Sequence, residues 1–322
     1  MSPHSHPLYY SHMRGAIICA IIAYAAFSTH DAGVKILTKT YPPGTIMMMN
    51  GGLLLLLSIG SLLYLKKISS LWQTPYLRLH LLRAIGVAGI SFLAIKGLQT
   101  VLLHDFYGIL FLSPFVLGIL THFILGEHLG THRIIAMVVG FVGVLLMAGP
   151  EFAHFVPGYI YVLIMLFFVS FHLLITRKLG NRDPWPLFSF FPGLGMFTIG
   201  SILSVADGSL FSILPAHIHA TLDGSLGTGL SPLFLITGLC LFIAQIMIAR
   251  AYGLTPLTSI VIPYVYTQMI WGTAYGYVLF GTIPALEAVM GACLVIASGI
   301  GSLFYEYNLR KKTVSTPVVV HS

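Results

Sequence analysis

Apolar runs, each about as long as a bilayer core is thick and each closed by turn-forming or basic residues, follow one another along the whole chain. A hydrocarbon core of about 30 Å takes about 20 apolar residues as a helix. Runs of that kind fall at 14–37, 44–65, 79–98, 101–125, 131–150, 158–178, 184–206, 229–251, 255–280 and 284–305. The pattern predicts an all-α polytopic membrane protein with ten transmembrane helices. Short connections, such as Thr38-Lys39-Thr40-Tyr41-Pro42-Pro43 and 126–130, make successive helices antiparallel neighbours. Gly15–Ile22 followed by Ala23-Tyr24-Ala25 has the form of a signal segment. The run continues through Phe27, however, and removing it would leave an odd number of spans. An uncleaved first helix is expected.

Composition supports the same class. Of 322 residues, 57% are hydrophobic and 8% charged, and mean hydropathy is +0.92, against roughly 25% charged in soluble domains. The net charge of +7 does not point to nucleic acid, because Lys and Arg cluster at the ends of apolar runs. Counted by side, thirteen of the 16 fall with the N-terminus, and only Lys35, Lys39 and Lys96 fall opposite. The positive-inside rule then places both tails, 1–13 and 306–322, in the cytoplasm, and the expected location is a bacterial inner (plasma) membrane. Cys19, Cys240 and Cys293 show no CxxC spacing and read as buried, inert thiols. His4, His6 and His12 sit in a tail with no fixed geometry, so no metal site is expected. Gly195-x-x-x-x-Gly200 lacks the Lys-Ser/Thr of a phosphate loop, and neither Gly-x-Ser-x-Gly nor His-Glu-x-x-His occurs. No cofactor is implied, and an enzyme using His-Asp pairs as acid and base is the less favoured class.

The halves of the chain echo each other. At an offset of 142, Ser28 and His30 fall on Ser170 and His172, and Lys35 on Arg177; at 155, Ala94 falls on Ala249 and Gly126 on Gly281. Repeats over 14–150 and 158–305 would each hold five helices. An odd number forces the second copy to enter the membrane from the opposite side, giving two inverted five-helix repeats, an architecture of alternating-access transporters.

Several short motifs occur in order. They are Asp31-x-x-x-Lys35, Arg83-Ala84, Phe111-x-Ser113-Pro114 through Leu125-Gly126-Glu127, Gly140-x-x-Gly143, and Pro263-Tyr264-x-Tyr266 through Phe280-Gly281-x-x-Pro284. In this order the chain resembles the drug/metabolite transporter superfamily, specifically its EamA-type ten-helix members and a subgroup similar to S-adenosylmethionine uptake carriers. The resemblance implies a secondary transporter for a small amphipathic organic metabolite, with a cavity lined by spans 1, 3, 4, 6, 8 and 9. Asn50 stands where the family often has arginine, and Thr282 where it often has glutamate.

Ionisable groups within spans are costly and usually face a bundle interior or wet cavity. His30-Asp31 and His104-Asp105 are the most conspicuous, both roughly 5 to 10 Å below the expected outer surface by helical rise. They would form the external polar end. A His beside a carboxylate suits proton coupling, and the carboxylate alone suits an ammonium. His172 and Gln245 would form the internal side. Tyr264, Gln268 and Trp271 share an i, i+4, i+7 spacing and would form the midplane wall, with Pro263 as a helix break and Ser113-Pro114 as a bend. The expected partners are a small-molecule solute, a proton as candidate coupling ion and the lipid bilayer, with a homodimer as a candidate assembly and no nucleic acid.

Overall fold

The computed structural model describes residues 6–125, 131–148, 156–180, 182–209, 231–254 and, with short interruptions, 261–305. The described residues are helical, joined by turns and short links. The helices are α1 (His6–Leu37), α2 (Pro43–Tyr64), α3 (Ser70–Gln73), α4 (Leu77–Leu98), α5 (Leu103–Leu110), α6 (Ser113–Leu125), α7 (Thr131–Ala148), α8 (Gly158–Leu179), α9 (Leu187–Ala206), α10 (Leu233–Leu254) and α11 (Thr267–Phe280). Six segments are long and apolar enough to cross a membrane: Met13–Leu37 of α1, and α2, α4, α8, α9 and α10. Shorter helices lie in the remaining expected spans, the last of them at Val289–Ser298.

Local chemistry sets the ends. Pro43 opens α2 behind an extended Pro42, where its missing N–H costs nothing. Gly281, at a φ of 64°, closes α11. Its N–H donates to the Tyr277 carbonyl and that of Thr282 to the Gly276 carbonyl, the paired bonds of a left-handed glycine terminus.

α1 begins at His6, ahead of its membrane-length segment, which starts at Met13. The single helix expected over 101–125 is two, α5 and α6, parted at Phe111–Leu112 just ahead of Ser113-Pro114, where a proline ring would clash within a continuous helix. In the ninth expected span, α11 begins only at Thr267, and Tyr264–Val265 form a 3-10 turn ahead of it. Pro263 lies outside the described residues.

Packing pairs α2 with α9, α1 with α10 and α4 with α8, while α11 lies against α1 and α5. The α2–α9 seam is a backbone contact. A methyl group added at Gly44, Gly51 or Gly200 would come closer than 3.0 Å to the partner's backbone, and Ser58 and Ser189 hydroxyls bond across the seam at 2.8 Å. Small residues and interhelical hydroxyl bonds are how helices associate where lipid removes the hydrophobic drive. Large apolar side chains face outward, among them Leu56, Ile85, Phe167, Ile202 and Leu235, as lipid permits and water does not. Cys19 and Cys240 are part-buried, whereas Cys293, expected buried, is exposed on a helix whose Leu286, Val289 and Met290 are exposed too.

Candidate functional site

A cavity of about 140 Å³ occupies the middle of the bundle. The long helices α1, α4, α8 and α10 supply most of its wall, and Asn50 of α2, Met196 of α9 and Gln268 of α11 add to it. Most of the lining is apolar or aromatic, including Tyr24, Phe27 and Phe106; the polar residues are few. Of the residues singled out in the sequence, His30, Asp31, His172, Gln245 and Gln268 line it.

Each is held in a definite way. His30 Nδ1–H donates to the Thr237 carbonyl at 3.0 Å. Thr237 Oγ1 donates to Asn50 Oδ1 at 2.8 Å, so α1, α10 and α2 are tied together beside the cavity. Asp31 Oδ2 accepts from the Tyr107 hydroxyl at 3.0 Å. One edge of the Tyr107 ring lies against Gly272 of α11, with no room for a Cβ there. Two residues before Asp31, Thr29 pairs with the Tyr275 hydroxyl at 2.8 Å. One turn beyond Asp31, Lys35 Nζ donates to the Leu98 and Val101 carbonyls, at 2.9 and 2.6 Å. It satisfies the last turn of α4, where a cation is favourable.

His104, Asp105, Tyr264 and Trp271 lie outside the lining. His104 Nε2 and Asp105 Oδ1 are 3.3 Å apart; Asp105 Oδ2 accepts from the Tyr159 hydroxyl of α8 at 3.2 Å. Tyr264 is partly buried against the main core, and Trp271 is 37% exposed. The inward face of α11 is Gln268, Met269, Gly272 and Gly276. At about 100° per residue, Trp271 points roughly 110° away from its centre.

Two residues that sequence reasoning did not place at the site matter most for its architecture. Asn50 was noted only as a departure from the family. Arg83 was counted with the cytoplasmic charges, yet it is fully buried, inside α4 and one turn before the cavity-lining Val87. Its Nε donates to Thr176 Oγ1 at 3.1 Å and one terminal nitrogen to the Phe188 carbonyl at 3.3 Å, and its guanidinium lies over the Phe188 ring at 4.9 Å. The other terminal nitrogen has no partner among the described residues. One turn earlier, His80 Nε2 donates to Asp183 Oδ2 at 3.0 Å, and Thr74 Oγ1 donates to the same oxygen at 2.7 Å. A charge in the interior of a span was the signal available for Arg83.

A helical bundle clad in apolar side chains around a polar-poled cavity is an integral, multi-pass membrane protein. Residues 14–149 match the model of the EamA-like transporter family. Among curated proteins it is similar to an S-adenosylmethionine uptake transporter of Rickettsia prowazekii, 25% identical over 208 residues, which are 64% of this chain and 63% of that one. It is also similar to an uncharacterized transporter of Helicobacter pylori, 25% identical over 58% of this chain and 60% of that one. The chain thus spans about three-fifths of the length of these relatives. A solved crystal structure superposes with a TM-score of 0.62 at 14% identity, over 93% of this chain and 99% of the other, a likeness of fold.

Proposed function

We propose that this chain is a secondary transporter that moves a small amphipathic organic metabolite, an amino acid or a related compound, across the membrane by alternating access. The observation that carries this reading is the cavity, enclosed by spanning helices and lined by an acid, two histidines and amides among aromatic and aliphatic side chains. Polar groups at such depth are costly unless they meet one another, water or a solute. The packing supports two related halves. Exchanging the first three expected spans for the sixth to eighth turns the α1–α10 pair into α8–α4 and returns α2–α9 to itself, as an inverted repeat requires.

In this reading the solute contacts Asp31, His30, His172, Gln245 and Gln268, and His30 beside Asp31 is the proton-coupling pair. His104 and Asp105 support the same end from behind Tyr107, and both termini face the cytoplasm. Uptake or exchange of S-adenosylmethionine or a nucleotide-like metabolite is the second reading, favoured by the name of the Rickettsia relative. Purified protein in proteoliposomes, offered labelled amino acids, nucleosides and S-adenosylmethionine, tests both. Accumulation of one of them chemically unchanged is expected. Conversion of a compound in detergent, or no protein-dependent accumulation of any, overturns the transporter reading.

A further inference from the structure

The polar atoms of the cavity gather at two poles. At one, Asp31 has Oδ2 engaged by Tyr107, and no described residue bonds Oδ1. At the other, His172 Nδ1 and Gln245 Oε1 are buried with no partner among the described residues, although both residues line the cavity. A buried unsatisfied group costs about 1–3 kcal/mol, and native proteins keep few of them. Both belong to residues that line one space, so a small side-chain adjustment would let one ligand complete both.

The helix registers give the distance between the poles. α1 and α10 run antiparallel, with Gly33 against Thr237 and Gly15 against Leu254. Asp31 is therefore level with Leu239, and Gln245 lies about 9 Å along the axis from it at 1.5 Å per residue. α4 and α8 are likewise antiparallel, with Gly89 against Phe168 and Arg83 bonded to Thr176, while Lys35 of α1 reaches Leu98 of α4. His172 then lies about 10 Å from the Asp31 level by the same rise.

We infer that the cavity takes an extended, two-headed ligand. An ammonium head sits on Asp31, and a hydroxyl or primary amide head sits about 10 Å away on Gln245 and His172. Phe27, Ile90 and Phe106 hold the apolar stem between them. A hydroxyl or amide both donates and accepts, so one head completes both orphaned atoms. This rests on the reading of the cavity as the solute site.

The test is the thermal stability of the purified full chain titrated with linear amino alcohols and with n-alkylamines of matched length, since a ligand that binds the native state raises its melting temperature. In the wild type, amino alcohols of intermediate length should half-saturate at about five-fold lower concentration than the matched alkylamines, the worth of about one net hydrogen bond. In Gln245→Met with His172→Phe the order should reverse in favour of the alkylamine, and Gln245→Met alone should remove part of the preference. The ligand-free melting temperature of both variants should equal or exceed that of the wild type, because the atoms removed were unsatisfied. Asp31→Asn should weaken both probe classes. An unchanged amino-alcohol preference in the variants, or no stabilisation by either class, overturns the two-headed ligand. If alkylamines bind through Asp31 with no preference for the hydroxyl, the second head falls and the cavity reading stands. If both classes bind Asp31→Asn as they bind wild type, the cavity reading falls as well.

Discussion

The two ends of the cavity are built from the same kinds of atoms to opposite effect. At the Arg83 end each charged group has protein partners on chain-distant elements: His80 and Thr74 converge on one oxygen of Asp183 in the α8–α9 link, and Arg83 bonds α8 through Thr176 and α9 through Phe188, with its second terminal nitrogen and His80 Nδ1 left without a partner among the described residues. His80 is also stacked on Phe191 at 4.8 Å. At the Asp31 end His30, Thr237 and Lys35 are bonded to neighbouring helices, but the acid itself has a single phenolic bond, from Tyr107, and faces the cavity. The first arrangement gives its acid two protein donors and its guanidinium two protein acceptors. The second leaves a carboxylate oxygen for something else to bind. Charge in a membrane interior does not by itself mark the solute site; what separates Asp31 from Asp183 is how many of the acid's hydrogen-bonding positions protein already occupies.

That contrast can be broken experimentally. Asp183→Ala should have the largest effect, a loss of about 3 kcal/mol or more in detergent, because it strands His80 and Thr74 without their shared acceptor. The pair His80→Phe with Asp183→Leu should lose less than Asp183→Ala alone, since apolar replacement of both partners leaves nothing stranded; denaturant or thermal melts read both. Next comes Asp31→Asn, expected to reduce proteoliposome transport at least about ten-fold, equivalent to 1.4 kcal/mol, with a melting temperature near the wild type, since Asn Oδ1 still accepts from Tyr107. A transport rate within about two-fold of wild type, under half a kcal/mol on the same scale, would place the solute elsewhere. Tyr107→Phe removes one interhelical bond and should cost about 1 kcal/mol of stability and shift the concentration dependence of transport. The smallest effect is expected of Trp271→Leu, on the outward side of α11: rates for purified, reconstituted protein should match wild type, and a large loss would return that ring to the solute path.

How much of this was legible in the chain depends on what a side chain's position requires one to know. Spans of bilayer length needed only a count of apolar residues, and the breaks near Ser113-Pro114 needed only the geometry of proline. Asp31, His30, His172 and Gln245 were legible because a polar group in an apolar run faces inward for want of water. The inward placement of Trp271 assumed one unbroken helix from Tyr264. The helix instead starts at Thr267, and the buried face centres on Gln268 and Gly272. Arg83 was hidden for a different reason: an arginine six residues into a span is equally compatible with snorkelling and with burial, and only the hydroxyl and carbonyl brought to it by α8 and α9 decide between them. Asn50 likewise acquires its meaning from Thr237, distant in sequence.

The glycine seam between α2 and α9 has a mechanical consequence. Helices whose backbones touch have no side-chain cushion to shear, so sliding one along the other would drive Gly51 into the Phe197 amide and Gly200 into Met48. In the proposed transport cycle this pair would be a fixed joint, and relative motion would fall to contacts made through side-chain bonds, such as those of α4 with α8 and the α8–α9 link. Site-specific cross-links should tell the two kinds of joint apart: one fastening α2 to α9 should leave turnover intact, and one fastening α4 to the link around Asp183 should stop it.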